Sequence, residues 1–388
     1  MRAYANATVI DGDEELDHHA VIVDGGVVHG VVDDREIPPG CEVVDLGGAV
    51  LAPGFVDLQV NGGGDVLFND APTRAGLRTI LDAHRGCGTT TMLPTLITDT
   101  DEVMQTATSA VSAAIAAGEC GVAGIHLEGP FLNPSRCGAH DPSLMRRMRL
   151  SDVERIPPAR ADMAVVITLA PEVVDPGCIA TLCARGVTVS IGHSDADDAT
   201  VRAAIAEGAT MVTHLFNATG GLTGREPGVV GAALDSDVWA GLICDGHHVH
   251  DTSLRIALRA KPGRCVLVSD AMPPVGGVRH GFTLHGRAVT VRDGRCQTDD
   301  GVLAGSAICL ADAARYCVEY LGVPRALAIQ LATALPARAA GLAEGVGRIT
   351  VGRRCDMVVL DPSTLAVHQV LAGCCLLYTS DAADERSS

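Results

Sequence analysis

Apolar and polar positions change rhythm twice along this 388-residue chain. Over residues 1–50, apolar residues alternate with polar ones between Gly and Asp turns, the period-two signature of strands. The segments are Thr8–Ile10, Ala20–Val23, Gly26–Val31 and Glu42–Leu46, and Asp24-Gly25 marks a hairpin. Residues 346–371 return to the same texture in Arg348–Val351, Asp356–Leu360 and Leu365–Leu371. Two β-rich ends around a different middle predict one small β-sandwich built from both termini, over residues 1–52 and 346–373.

Residues 53–345 read as an α/β unit. Short apolar runs alternate with helical patterns, which predicts parallel strands joined by crossover helices. The runs are Gly54–Val60, Thr89–Leu93, Gly121–Leu127, Ala164–Leu169, Val187–Ile191, Thr210–Thr213, Trp239–Cys244 and Cys265–Ser269. Eight strands suit a closed (β/α)8 TIM-like barrel. Residues 282–298 interrupt the alternation with a hairpin-like insert.

The most regular stretch is 187–218, VTVSIGHSDADDATVRAAIAEGATMVTHLFNA. It predicts a strand ending at Gly192-His193, a helix over Ala196–Glu207, and a second strand ending at His214. Adjacent parallel strands of a barrel set their C-terminal tips side by side at the catalytic mouth. Two imidazoles in one register there form half of a zinc site. A single such His would more simply cap its strand.

Composition narrows the function. A net charge of −18 disfavours nucleic acid, whose phosphates would be repelled. Aromatic residues, at 3%, are too few for a base-stacking surface. The 14 cysteines are scattered without paired spacing, and the polar, acidic N-terminus lacks a leader pattern. These features predict a cytoplasmic protein with free thiols. No run is long and apolar enough to span a membrane. Residues 374–388 break the sandwich pattern, and LLYTSDAADE reads as an adapter-encoded, non-native tail.

The other strand tips carry further chemistry. The third ends His126-Leu127-Glu128-Gly129-Pro130. A carboxylate with two histidines is a common open metal set, although Glu128 could instead cap a helix. His126, two residues earlier, reads as buried. The eighth strand ends in Asp270, a carboxylate that could take a proton from an attacking water and return it to a leaving amine, or could instead cap a helix or turn. His140, in a loop after the third strand, could polarise a carbonyl or lie on the surface. The first strand carries Gln59-x-Asn61, neutral amides that bind zinc poorly, so a second metal is disfavoured. The only lysine, Lys261, precedes a proline outside any strand tip and cannot bridge two metals. A Gly-rich loop with Arg225 suits a phosphate or carboxylate, or leaves a solvated arginine. Of His247, His248 and His250, His248 is the expected ligand contact, because successive residues of an extended chain face opposite ways and one histidine rather than a cluster enters the site.

These residues resemble the N-acetylglucosamine-6-phosphate deacetylase family of the amidohydrolase superfamily. The resemblance covers residues 5–372 and rests on PGFVDLQVNG, LPTLIT, HLEGPFLNP, GAHDP, GHSDA, THLFNA, TGREPG, DGHHV, SDAMPP and GVLAGS in that order. It implies a barrel with a β-sandwich, a homodimer, and release of acetate from N-acetyl-D-glucosamine 6-phosphate. Glu128, His193 and His214 are implied to hold one divalent metal, zinc by preference. Asp270 becomes the acid/base, and His140 acts on the acetyl carbonyl with the Ala139 backbone nearby. Asn217, Ala218, Arg225 and His248 are implied to bind the sugar phosphate, with Arg225 serving the neighbouring subunit's site. Leu303 would lie near the acetyl group. Gln59 and Asn61 resemble the single-metal branch. His250 departs from the acidic residue usual after DGxHV. The alternatives are another N-acetylhexosamine 6-phosphate, such as the galacto epimer, or a non-catalytic sugar-phosphate-binding scaffold. A small-molecule partner, with neither nucleic acid nor membrane, completes the expectation.

Overall fold

Each of the eight apolar runs of the middle segment forms a strand in the computed structural model, which describes residues 1–373 and 375–379. The strands are Phe55–Val60, Thr89–Ile97, Gly124–Glu128, Ala164–Leu169, Thr188–Ile191, Met211–Val212, Trp239–Leu242 and Cys265–Leu267. All neighbours pair in parallel and in chain order. The sheet turns back on itself where Val60 bridges Ala271, and the Ala271 carbonyl accepts from the N–H groups of Asn61 and Gly62, both at 2.9 Å. Nearly every strand residue is buried. That is why these runs are continuously apolar rather than alternating: both faces of a parallel sheet are covered.

Strand pairing fixes the register of the tips. Ser190 lies opposite Met211, and Ile191 opposite Val212. His193 and His214 each follow two residues after that last matched pair, so they leave the barrel side by side. The helix between them runs from Asp198 to Ala206, slightly shorter than the sequence pattern predicts. Asp197 caps its N-terminus by accepting from the Thr200 N–H at 2.8 Å, so the helix begins two residues later than apolar spacing alone suggests.

One glycine is set by close approach. A Cβ added at Gly124, at the start of the third strand, would stand 2.0 Å from the Ala164 carbonyl oxygen. Neither backbone can yield without breaking the pairing. Gly124→Ala is therefore expected to destabilise the fold by about 3 kcal/mol or more, from overpacking. An unchanged urea midpoint would contradict that packing.

The terminal strands form one hydrogen-bonded sheet of eight. Arg2–Asp11 is its long central strand. Arg2–Ala5 pairs with Glu42–Asp45, and Thr8 and Val9 pair with Val50–Pro53. Asp356–Leu360 joins the other side of Val50–Pro53, so the two chain ends share a sheet, as the paired textures predict. Two breaks in register along the first strand interrupt its pairing with Glu14–Asp24. Its alternating residues feed two apolar clusters, one with Tyr4, Val9, Val21 and Leu51, the other with Ala3, Ala5, Ala20 and Ile22.

Three details differ from the sequence pattern. Arg348–Val351 is not a strand; Arg348 instead pairs with Asp11, whose carboxylate also accepts from the Ile349 N–H. Val50–Pro53 is a strand that alternation misses, because all four residues are buried. The insert is a four-stranded antiparallel sheet reaching from Gly281 to Ser306, longer than 282–298. Of the expected tail, Cys375–Thr379 pairs with Val367–Ala372, and residues 374 and 380–388 lie outside the described residues. The twelve described cysteines are free. Among the described residues no helix is long and apolar enough to cross a membrane.

Candidate active site

The third, fifth and sixth barrel strands bring their polar tips to one point. Glu128 Oε1 lies 3.0 Å from His214 Nε2 and 3.2 Å from His193 Nε2, and the two imidazole nitrogens are 3.1 Å apart. All three side chains are buried. His193 and His214 hold positive φ values of 49° and 28°, as does Asp270 at 51°. Non-glycine residues rarely take that conformation, and the strain turns these side chains into the barrel mouth.

Backbone contacts fix the tautomer of His193. Its Nδ1 lies 2.9 Å from the Arg136 carbonyl, which can only accept, so the proton sits on Nδ1 and Nε2 presents its lone pair inward. Burial alone would push the Glu128 carboxyl up, but hydrogen bonds to His193 and His214 outweigh it and hold the group well below the usual carboxylate range. His214 shows the reciprocal effect. Burial opposes its charge, yet the Glu128 hydrogen bond and charge outweigh this and raise the imidazole. The site therefore attracts positive charge into a buried pocket.

A divalent cation fits this donor set. Tetrahedral zinc with bonds of about 2.0–2.1 Å separates its ligands by roughly 3.3 Å, close to the 3.0–3.2 Å edges measured here. His140 is a further neighbour: the donor atoms of Glu128, His140 and His193 all lie within 4.8 Å of one another. Its Nε2 stands 3.9 Å from Glu128 Oε2, farther out than the other two. The Thr98 N–H points at His140 Nδ1 from 3.4 Å and the Thr98 hydroxyl from 2.9 Å, which leaves Nε2 to carry the proton. Burial, aided by the charge of His193, pushes this imidazole down to about 3, so it is a neutral donor.

Asp270 stands beside the trio. Gln59 Nε2 donates to Asp270 Oδ1 at 3.1 Å and to both Glu128 oxygens at 3.2 Å. Asn61 Nδ2 donates to Asp270 Oδ1 at 2.7 Å. Gln59 thus bridges two carboxylates that a second cation would otherwise have to join, and Asn61 holds one of them. Burial, joined by the Glu128 charge, raises the Asp270 carboxyl to about 6. The insert secures it from behind, where the Ser306 N–H donates to the Asp270 carbonyl at 2.8 Å.

These groups open into a cavity of about 380 Å³. Ala139, His140, Asn217, Ala218, His248 and Leu303 line it together with the trio and Asp270. Leu303 arrives on the last strand of the insert. His248 is held by the buried Asp245, whose Oδ2 lies 2.6 Å from its Nδ1. His247 instead accepts from Arg295, and His250 caps the helix Asp251–Ala260. Arg225 does not line the cavity; it is exposed on the Gly-rich loop. His126 is a core residue, with Nδ1 3.1 Å from the Leu58 carbonyl and Nε2 2.7 Å from the Thr168 hydroxyl. Lys261 is buried far along the chain, donating to the Ala233 and Ser236 carbonyls.

Sequence reasoning missed two parts of the site. Arg136 lines the cavity, and Glu172 ties its rim together by accepting from Asn133 Nδ2, the Asp195 N–H and the Ser194 hydroxyl at 2.7–2.8 Å. Both lie in single 3-10 turns, Pro134–Arg136 and Pro171–Val173, too short to show periodicity. Only the run of polar residues after each strand tip could have flagged them.

The profile of the Amidohydrolase family matches residues 50–381, and that of the NagA composite domain matches residues 1–51. An N-acetylgalactosamine-6-phosphate deacetylase of Shewanella sp. is 41% identical over 97% of this chain and 96% of its own length. An N-acetylglucosamine-6-phosphate deacetylase of Haemophilus influenzae is 32% identical, covering 96% of this chain and 98% of its own. The crystal structure of N-acetylglucosamine-6-phosphate deacetylase from Pasteurella multocida superposes with a TM-score of 0.90 at 31% identity, over 96% of this chain and 98% of that one.

Proposed function

This chain belongs to the amidohydrolase family, and from that premise we propose that it removes the acetyl group of N-acetyl-D-glucosamine 6-phosphate, giving D-glucosamine 6-phosphate and acetate. The carrying observation is the convergence of Glu128, His193 and His214 within 3.0–3.2 Å of one another, in one cavity with Asp270.

Glu128, His193 and His214 would hold one divalent ion, zinc by preference. Such an ion supplies Lewis acidity toward a carbonyl and lowers the pKa of water. The chain's own groups do the rest. Asp270 accepts a proton from the attacking water while Gln59 and Asn61 keep its Oδ1 occupied and its orientation fixed. His140, neutral with its proton on Nε2, donates toward the acetyl oxygen as charge develops there. Asp270 then returns its proton to the sugar nitrogen as the C–N bond breaks. Leu303 closes over the acetyl methyl, and Asn217, Ala218 and His248 receive the far end of the sugar. A homodimer and a cytoplasmic location accompany this reading, with Arg225 reaching a neighbouring copy.

Relative identity favours a second substrate. The Shewanella relative named for the galacto epimer is 41% identical, against 32% for the Haemophilus protein named for the gluco epimer. Competing kcat/KM values on the two 6-phosphates decide between them. Acetate release from either phosphorylated sugar, at a rate well above that from the unphosphorylated one, supports the deacetylase reading. No release from any of them by the metal-loaded protein overturns it.

The pH profile follows from Asp270. Its proton-accepting form is the carboxylate, and its folded pKa is raised to about 6. Below that value the base is protonated, so kcat/KM is expected to fall by about tenfold per pH unit on the acid side. A nearby cation favours the carboxylate and moves the limb to lower pH. A rate that rises as pH drops from 7 to 5 would contradict the assignment.

A further inference from the structure

We propose that Arg136 is the charge within one chain that receives the substrate's phosphate, and so the residue that sets preference for phosphorylated over unphosphorylated sugar. The inference rests on the deacetylase reading and extends it to a residue that neither the motifs nor the resemblance single out.

The substrate poses an electrostatic problem. A sugar 6-phosphate is close to a dianion at pH 7, and the chain carries a net charge of −18. The long-range field therefore opposes entry, and a local cation must outweigh it. Among the described residues lining the cavity, Arg136 is the one arginine or lysine. The donor trio and Asp270 line the cavity together. Acetamide and phosphate lie on opposite sides of a pyranose ring, so a substrate with its acetyl group at the trio sends its phosphate away from it.

The Arg136 guanidinium borders the loop that follows the sixth barrel strand. A Cβ added at Gly220 would come within 3.9 Å of its Nη2 and 3.1 Å of Asp195 Oδ1. Gly220 belongs to the loop that follows Asn217 and Ala218, which line the same cavity. The absence of a side chain at 220 lets this loop pack against the Asp195 carboxylate that pairs with the guanidinium.

The guanidinium is also preorganised. Its Nε and Nη2 both donate to Asp195 Oδ1, at 3.0 and 2.6 Å. The Asp195 N–H in turn donates to Glu172 Oε1 at 2.8 Å. The Arg136 carbonyl is held by His193 Nδ1 at 2.9 Å. Backbone and side chain are thus fixed from both sides, while the Nη1 donors remain for a ligand. A planar fork held in this way suits phosphate oxygens. The same residue also supports the donor trio, since its carbonyl orients the His193 imidazole.

The test compares Arg136→Gln and Arg136→Lys with the parent chain. The readout is the ratio of kcat/KM for N-acetylglucosamine 6-phosphate to that for N-acetylglucosamine. A lost charge-assisted hydrogen bond predicts that the ratio falls by about 10–100-fold in R136Q. R136K, which keeps the charge but not the fork, should retain most of it. Binding of glucosamine 6-phosphate by calorimetry gives the same comparison without turnover and should weaken in parallel. A ratio and an affinity within twofold of the parent in R136Q would overturn the role of Arg136. Failure of the parent chain to release acetate from either sugar would instead overturn the deacetylase reading, and the calorimetric comparison would still decide whether Arg136 binds phosphate.

Discussion

Asp270→Asn is expected to lower kcat by about 10²–10⁴-fold, the usual cost of removing a positioned acid/base, while metal content stays at the parental level. The substitution is close to a single-atom change. Asparagine keeps an Oδ1 to accept from Gln59 and Asn61, which now donate at 3.1 and 2.7 Å. It also tolerates the positive φ of 51° better than most residues. The Ser306 N–H still finds the residue 270 carbonyl. What disappears is the second oxygen's ability to take up and return a proton. A variant with full metal and most of its kcat would show that the proton travels elsewhere.

His193→Ala should produce the other large loss, by a different route. It removes one of three donors that lie 3.0–3.2 Å apart. Outer-shell partners of metal ligands typically contribute about 10–100-fold in affinity or activity; deleting a donor itself should weaken metal retention by at least about 100-fold, and acetate release with it. Excess metal should restore activity only in part. The Arg136 carbonyl would lose its donor as well, so the variant should weaken substrate binding in addition. His126→Ala is the contrasting case. That ring packs against Leu58 and Thr168 in the core, so its loss should appear in stability rather than metal content. Equal metal retention in H193A and the parent would remove His193 from the donor set.

How much of this was readable beforehand depends on whether the constraint was local. His193 and His214 could be found because a strand–helix–strand unit repeats its register, and pairing of Ile191 with Val212 keeps that register in space. Glu128 and Asp270 stand at the ends of apolar runs, where a buried strand meets a polar cavity. Gln59 was legible as a poor metal ligand, but not as a clamp. Its contact with Asp270 spans 211 positions, and nothing in local spacing encodes it. Arg136 and Glu172 were invisible for the same reason, since each sits in a single 3-10 turn and they meet only through Asp195, distant from both in sequence. The insert was cut short because Leu303–Ser306 is brief and Gly-containing, and its pairing partner is Asp270-Ala271-Met272 as much as its own hairpin. Arg225 illustrates the converse: a Gly-rich loop with an arginine reads as an anion site, yet within one chain it stands outside the cavity that Arg136 enters.

The proposed chemistry depends on one cation held by Glu128, His193 and His214 within reach of Asp270. Its most direct test is elemental analysis of the purified chain, paired with acetate release from N-acetylglucosamine 6-phosphate across a titration of metal into chelator-stripped protein. The expected result is a single equivalent of divalent metal per chain, with acetate release rising in step and levelling off at that equivalent. Full acetate release from stripped protein, or a requirement for two equivalents, would contradict it.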